Sequence, residues 1–223
     1  AYMHLVQFTE SSGEEVRDQL IAFEDSGFKN LILDLRDNSG GLLSGAIEVA
    51  SLFLPTDELI VSVRGRKKEQ KRDFKSRKNK KFLNIPMIIL LNEGSASASE
   101  IVAGALSKSK RAVLVGEKSF GKGSVQTIYP LELGSGMKLT TAMYFFTDGS
   151  TIHETGIEPD HHIPCSEENE TKLRLQRYAK NIQDSGEYQR LLGFEEVDDQ
   201  QLKKAYSLFE NNELNHSYEK HNK

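Results

Sequence analysis

The sequence predicts an α/β domain, a mostly parallel sheet with crossover helices, followed by a helical C-terminal tail. Three observations carry this. The runs at 31–35 (Leu-Ile-Leu-Asp-Leu) and 86–91 are short and nearly continuously apolar, as strands covered on both faces are. Helical stretches separate such runs, the alternation that builds strand–helix–strand units. From about residue 166 the chain turns polar and keeps only sparse helical stripes.

Taken in order, residues 2–8 alternate as a short strand. Residues 11–26 carry Val16, Leu20 and Phe23 on one side of a helix, with Thr9 or Ser11 to cap it and Gly27 to stop it. After the strand at 31–35, Asp37-Asn38-Ser39-Gly40-Gly41 is a turn. A helix runs from 43 to 54 and stops before Pro55, and residues 59–63 form another strand. Residues 64–81 are strongly basic and read as a solvent-facing hairpin or loop. An anionic surface is the sharper alternative, but Phe74 alone interrupts the charges, so no platform for stacking bases exists and no nucleic acid is expected. A strand at 86–91, a helix rich in Ala and Ser at 95–107 and a strand at 112–115 come next. Paired strands at 125–129 and 138–145 flank a turn at 134–136. In the tail, Leu173, Leu175 and Tyr178, then Leu202, Tyr206 and Phe209, are the apolar stripes. The expected division is a core over 1–165 and a helical extension over 166–223.

Bulk composition excludes several classes. The 37% hydrophobic fraction supports one core, and a formal charge of −4 does not single out a partner. The single cysteine, Cys165, forbids an internal disulfide, and its polar surroundings contain no activating motif. No run approaches the ~18 apolar residues a membrane span needs. The start lacks a secretory signal pattern, but it reads as a strand already under way, so an excised piece of a longer protein is expected.

Three stretches carry chemistry. In Leu90-Leu91-Asn92-Glu93-Gly94-Ser95-Ala96-Ser97-Ala98-Ser99-Glu100, a buried strand meets a helix through a glycine turn. A hydroxyl there lies beside the free N–H groups of a helix N-terminus, which stabilise an oxyanion. Small residues also let a helix pack closely on a sheet, and Ser is a good N-cap. In Gly116-Glu117-Lys118-Ser119-Phe120-Gly121-Lys122-Gly123-Ser124, two glycines flank Lys122. The residue after Gly121-Lys122 is Gly123 rather than Ser or Thr, so this is no phosphate-binding loop. In Leu33-Asp34-Leu35-Arg36-Asp37-Asn38-Ser39-Gly40-Gly41, paired glycines come after a strand. Singly, each stretch is equally an ordinary turn. His153, His161 and His162 lie near acidic residues, but the adjacent pair would point to opposite faces of a strand, and no metal is expected.

Together and in this order, the three stretches closely resemble the carboxy-terminal processing, or tail-specific, serine peptidases. Leu139-Thr140-Thr141-Ala142 and Gly156-Ile157-Glu158-Pro159-Asp160 extend the resemblance, which covers about residues 1–163. It implies a crotonase/ClpP-like core in which Ser97 is the nucleophile and Lys122 the general base, with Gln126 assisting the lysine. Gly41 and Ala98 would supply the oxyanion-hole N–H groups. Some relatives carry an acidic residue between the serine and lysine motifs; Ser107-Lys108-Ser109-Lys110 stands there, so no acidic third member is carried over.

The chemistry is coherent without a cofactor. A serine hydroxyl needs a base to take its proton. A lysine serves as that base where burial disfavours its ammonium form, and the glycines, Phe120 and Val125 are consistent with a dry site. The resemblance further implies unfolded or C-terminally exposed protein substrates, added as a strand on a sheet edge. It implies work outside the cytoplasm, in a bacterial periplasm or cell envelope, or in chloroplasts. A helical segment and a peptide-binding PDZ domain accompany such cores, and neither is evident here. A homo-oligomer and a membrane-associated parent are both compatible with the sequence. Two other readings stay open: a catalytically silent peptide-binding scaffold, and an acyl-transfer enzyme of crotonase-like fold.

Overall fold

The computed structural model describes residues 1–78, 82–179 and 185–211. The expected basic segment therefore loses Asn79, Lys80 and Lys81, and the expected tail loses 180–184 and 212–223, as lying outside the described residues.

The main sheet is parallel. Its strands are β1 (Tyr2–His4), β2 (Leu31–Asp34), β5 (Met87–Leu91), β6 (Val113–Gly116) and β9 (His161–His162), in that spatial order. Ile32 lies opposite Ile88 and Leu33 opposite Ile89, while Leu90 faces Val115. Alternate residues of β2 and β5 enter two different cores. Leu31, Leu33, Met87, Ile89 and Leu91 join the large core, whereas Ile32, Ile88, Leu90 and Val115 join a smaller one. Continuous apolarity in these strands thus has a direct cause, since both faces are covered.

On the large-core face lie α1 (Ser12–Asp25), α2 (Leu43–Phe53) and α3 (Ala98–Lys108). Val16 and Leu20 of α1 are buried, as their spacing predicts. The opposite face is covered by α6 (Gln200–Glu210), through Ala205 and Leu208 with Leu202 and Phe209 beside them. Tyr206, expected on this stripe, is largely exposed. The stripe expected at 173, 175 and 178 is also corrected. In α4 (Glu167–Tyr178) the buried residues are Leu173 and Arg177, one helical turn apart, while Leu175 and Tyr178 face solvent. A salt-bridged arginine, invisible to an apolar count, occupies the buried face. A further helix, α5 (Ser185–Leu192), lies between α4 and α6 in the chain.

A second sheet is antiparallel, in the order β4 (Arg72–Lys75), β3 (Leu59–Gly65), β8 (Gly136–Phe145) and β7 (Ser124–Pro130). Within the basic segment, Arg72–Lys75 form β4, which pairs antiparallel with β3. Ile60 and Val61 of β3 bind this sheet to the large core. Just past β8, Phe146 packs on α3 so closely that a Cβ on Gly104 would lie 2.1 Å from its ring. The β7–β8 arm runs outward and exposes Ile128, Tyr129, Leu131, Met137 and Leu139.

Candidate active site

All three sequence stretches converge where the parallel strands end. β2 delivers Asp34 to Gly41, β5 delivers Asn92 to Ser97, and β6 delivers Gly116 to Gly123. Ser97 stands at the N-cap of α3 with φ 57° and ψ −111°, a left-handed backbone that costs a non-glycine residue about 1–3 kcal/mol. Such a turn persists only when its surroundings fix it, and here they do. Ala96 N–H donates to the Asn38 carbonyl at 3.0 Å, and Ser99 Oγ donates to the same oxygen at 2.7 Å. Ser95 Oγ donates to the Leu35 carbonyl at 2.8 Å. The β2 loop thus grips the serine turn from below.

Glu100 ties the turn to the lysine loop. Its carboxylate is fully buried and accepts four hydrogen bonds. Oε2 accepts the backbone N–H of Ser97 at 2.7 Å and that of Lys122 at 2.9 Å. Oε1 accepts Ser119 Oγ at 2.6 Å and Gly121 N–H at 2.7 Å. A buried carboxylate is tolerable only when its lone pairs are filled in this way. Sequence reasoning missed this role, although a legible signal existed: Ser97-x-x-Glu100 has the spacing in which an N3 glutamate reaches back to the N-cap N–H.

The structure also places the remaining expected residues. Gly41, φ 144°, packs so closely on the first strand's extension that a Cβ there would lie 2.0 Å from the Phe8 carbonyl oxygen. The neighbouring Gly40 lies against the serine turn, where a Cβ would sit 2.9 Å from both Ala98 N and Ser97 Cβ. The Gly41 and Ala98 N–H groups donate to no acceptor among the described residues, the latter because the first helical turn has no intrahelical acceptors for its N–H groups. Ser97 itself is half-buried. Gly121 and Gly123 are needed for contact: a Cβ on Gly123 would lie 2.4 Å from His153 N. Gln126 is exposed on β7, paired with Thr140.

One expectation is overturned. Lys122 is exposed and Phe120 is 68% exposed, so the lysine side of the site is open rather than dry. The cause is local: the 120–122 backbone points its N–H groups inward, to the Ser95 carbonyl and Glu100, and the side chains of Phe120 and Lys122 turn outward. The Lys122 ammonium has no ion-pair or hydrogen-bond partner among the described residues. Cys165 is no rival nucleophile. Burial, with Glu170 beside it, pushes its thiol up to about 11, so it stays protonated at neutral pH. Among the described residues no group of three or more His, Cys, Asp or Glu is arranged to hold a metal ion.

Beneath the site, Asp34 and Arg36 form a fully buried pair, with Arg36 Nη2 2.6 Å from Asp34 Oδ2. Burial alone would raise the Asp34 carboxyl, but the Arg36 guanidinium, Arg177 and the Tyr2 hydroxyl outweigh it and hold the group at about 2. Arg36 also reaches Asp199 and Gln201 at the start of α6.

A strained serine at a strand-to-helix turn, N–H groups at Gly41 and Ala98 that meet no acceptor among the described residues and a lysine on the adjoining loop are the residue types that serine hydrolases use. Comparison with known proteins narrows the class. Residues 1–163 match peptidase family S41. A carboxy-terminal-processing protease of Bartonella bacilliformis is 40% identical over 222 residues, 93% of this chain and 51% of that protein. A carboxyl-terminal-processing protease of Synechocystis is 40% identical over 159 residues, 71% of this chain and 36% of that protein. Among solved structures, a photosystem II D1 C-terminal processing protease superposes with a TM-score of 0.66 at 32% identity, covering 73% of this chain and 42% of that one. The chain therefore belongs to peptidase family S41, among the carboxy-terminal processing serine peptidases, and it spans about half or less of the length of these relatives.

Proposed function

We propose that this chain is the cutting core of a serine endopeptidase that trims polypeptides near their C-termini, with Ser97 as nucleophile and Lys122 as general base. One observation carries the reading: a single oxygen of the buried Glu100 accepts the amide protons of both Ser97 and Lys122, so the two residues are held in one frame. In the reaction, Ser97 Oγ attacks the scissile carbonyl carbon while its proton passes to Lys122 Nζ. The developing oxyanion faces the N–H groups of Gly41 and Ala98. The C–N bond breaks as the leaving amine takes the proton from Lys122. Water, deprotonated by Lys122, then attacks the acyl-serine ester, and Lys122 passes that proton to Ser97 Oγ as the ester C–O bond breaks, restoring both residues. Gln126, on the strand just past Lys122, would orient the lysine once substrate covers both side chains.

An extended substrate laid along the open lysine side would cover Lys122 and Phe120 and supply the dryness a lysine base needs. The exposure of Lys122 also favours a second reading, a silent peptide-binding scaffold. Kinship to processing proteases supports an extracytoplasmic place of work. Among the described residues no helix is long and apolar enough to cross a membrane. Cleavage of unfolded casein by the chain, by Ser97→Ala and by Lys122→Ala decides between the readings. Cutting by the parent and loss in both variants is the expected result. Cutting by Ser97→Ala would overturn it, and peptide binding with no cleavage in any of the three would establish the scaffold.

A further inference from the structure

Arg177 lies on α4, 80 residues beyond Ser97 and outside the three chemical stretches, yet it reaches the loops that carry the site. Its Nη2 donates to Asp37 Oδ2 and, at 2.7 Å, to Glu170 Oε1. Asn92 Nδ2 donates to the same Glu170 oxygen at 2.8 Å and to Asp37 Oδ1 at 3.1 Å, while Asp37 N–H donates to Asn92 Oδ1 at 2.8 Å. Arg177, Glu170, Asn92 and Asp37 therefore form a closed ring. Two members belong to α4. The others are the roots of the glycine loop after β2 and the serine turn after β5.

Each root shapes the loop beyond it. Asp37 has a left-handed φ of 59° and precedes Asn38, whose side chain accepts Gly40 N–H at 2.9 Å. Asn92 Oδ1 accepts Gly94 N–H at 3.1 Å, and Asn92 N–H donates to Ser95 Oγ at 3.1 Å, two residues before Ser97.

Arg177 is a poor device for stability alone. Its side chain is 5% exposed, and its Nε and Nη1 have no hydrogen-bond partner among the described residues. A buried, half-satisfied guanidinium contributes little net stability, and removing one partner of such a pair is what costs. Burial and the nearby Arg36 both oppose its charge, and only the surrounding carboxylates hold it. The ring does supply a fixed distance between two catalytic loops.

We propose that Arg177, through Glu170, is a positioning residue for the peptidase reaction: it bolts the loop bearing Gly41 to the turn bearing Ser97, so that α4 is part of the catalytic apparatus. The proposal rests on the reading of Ser97 as nucleophile. It is tested on the full chain with Arg177→Met, Arg177→Lys and Glu170→Gln, measuring kcat and KM on fluorescently labelled casein and amide hydrogen exchange residue by residue. The expected result for Arg177→Met is a kcat at least tenfold lower with KM within twofold, and at least tenfold faster exchange at 37–41 and 92–98 with α1 unchanged. Arg177→Lys, which keeps one donor to one carboxylate, should recover part of both. If Arg177→Met does not fold, Glu170→Gln should show the same pattern in milder form. A folded variant with parental kcat and parental exchange in these loops would overturn the proposal, as would faster exchange spread evenly over the chain. Ser97→Ala is run beside them. If it still cuts, the nucleophile assignment fails, while the exchange data alone still decide whether Arg177 fixes the loops.

Discussion

Around Ser97 the polar groups beneath the turn are tied to β2, to α4 and to Glu100, whereas Lys122 has only its backbone in that frame and sends its side chain into solvent. The serine side is packed on a sheet whose central strands are covered on both faces. The lysine side leads into β7, the end strand of a thinner sheet with one arm in solvent. The contrast teaches that the Ser97 turn is preorganised by the core, whereas the Lys122 side chain awaits whatever covers it. Preorganisation of this kind costs nothing at the moment of reaction, because the strain and the buried charges were set when the chain folded.

Four substitutions test that contrast. The largest effect is expected for Gly41→Ala. Its Cβ would collide with the Phe8 carbonyl and displace an N–H from the site; removing one oxyanion donor costs roughly 3 kcal/mol, a hundredfold or more in kcat. Casein cleavage under saturating substrate measures it, and a loss below tenfold would break the assignment. Next is Glu100→Gln, which presents an NH₂ group to N–H donors. A stability loss of about 3 kcal/mol should appear in urea unfolding, together with lost cleavage.

The third concerns acid. Asp34 is held at about 2 against an ordinary 3.8, so its contribution is complete above the unfolded value and disappears as pH falls from about 4 to 2. One such shift is worth of order 2 kcal/mol. In Asp34→Asn the urea midpoint should lose this acid dependence, and an unchanged pH profile would show that the buried pair does not set it. The smallest effect is expected at the arm. Leu139→Ser removes an exposed apolar side chain and should change stability by under about 0.5 kcal/mol. A much larger loss would mean that the arm is packed and the contrast is false.

Much of this was legible in the chain. Leu31 to Leu35 declared a doubly covered strand because every residue was apolar except the one that meets Arg36. The turn at 92–97 and the glycines around Gly41 and Lys122 announced close backbone approach. The antiparallel pairing of β3 with β8 was not legible, since it joins segments about 80 residues apart whose local patterns specify strands but no partner. The buried face of α4 was only partly legible for a similar reason. In α4 the second inward position is Arg177, whose burial depends on carboxylates that include Asp37, far away in sequence.

By itself, the sequence determined the alternation of strands and helices, the three stretches that meet at the candidate site and the residue types placed in each. Those arise from local periodicity, turn stereochemistry and side-chain reactivity, all written within a dozen residues. Only the tertiary structure decided that Glu100 holds the serine and lysine loops together, that α4 reaches the same loops, and that Lys122 stands in the open. These rest on hydrogen bonds and burial between segments distant in the chain, whose energies exist only once the core has brought them together.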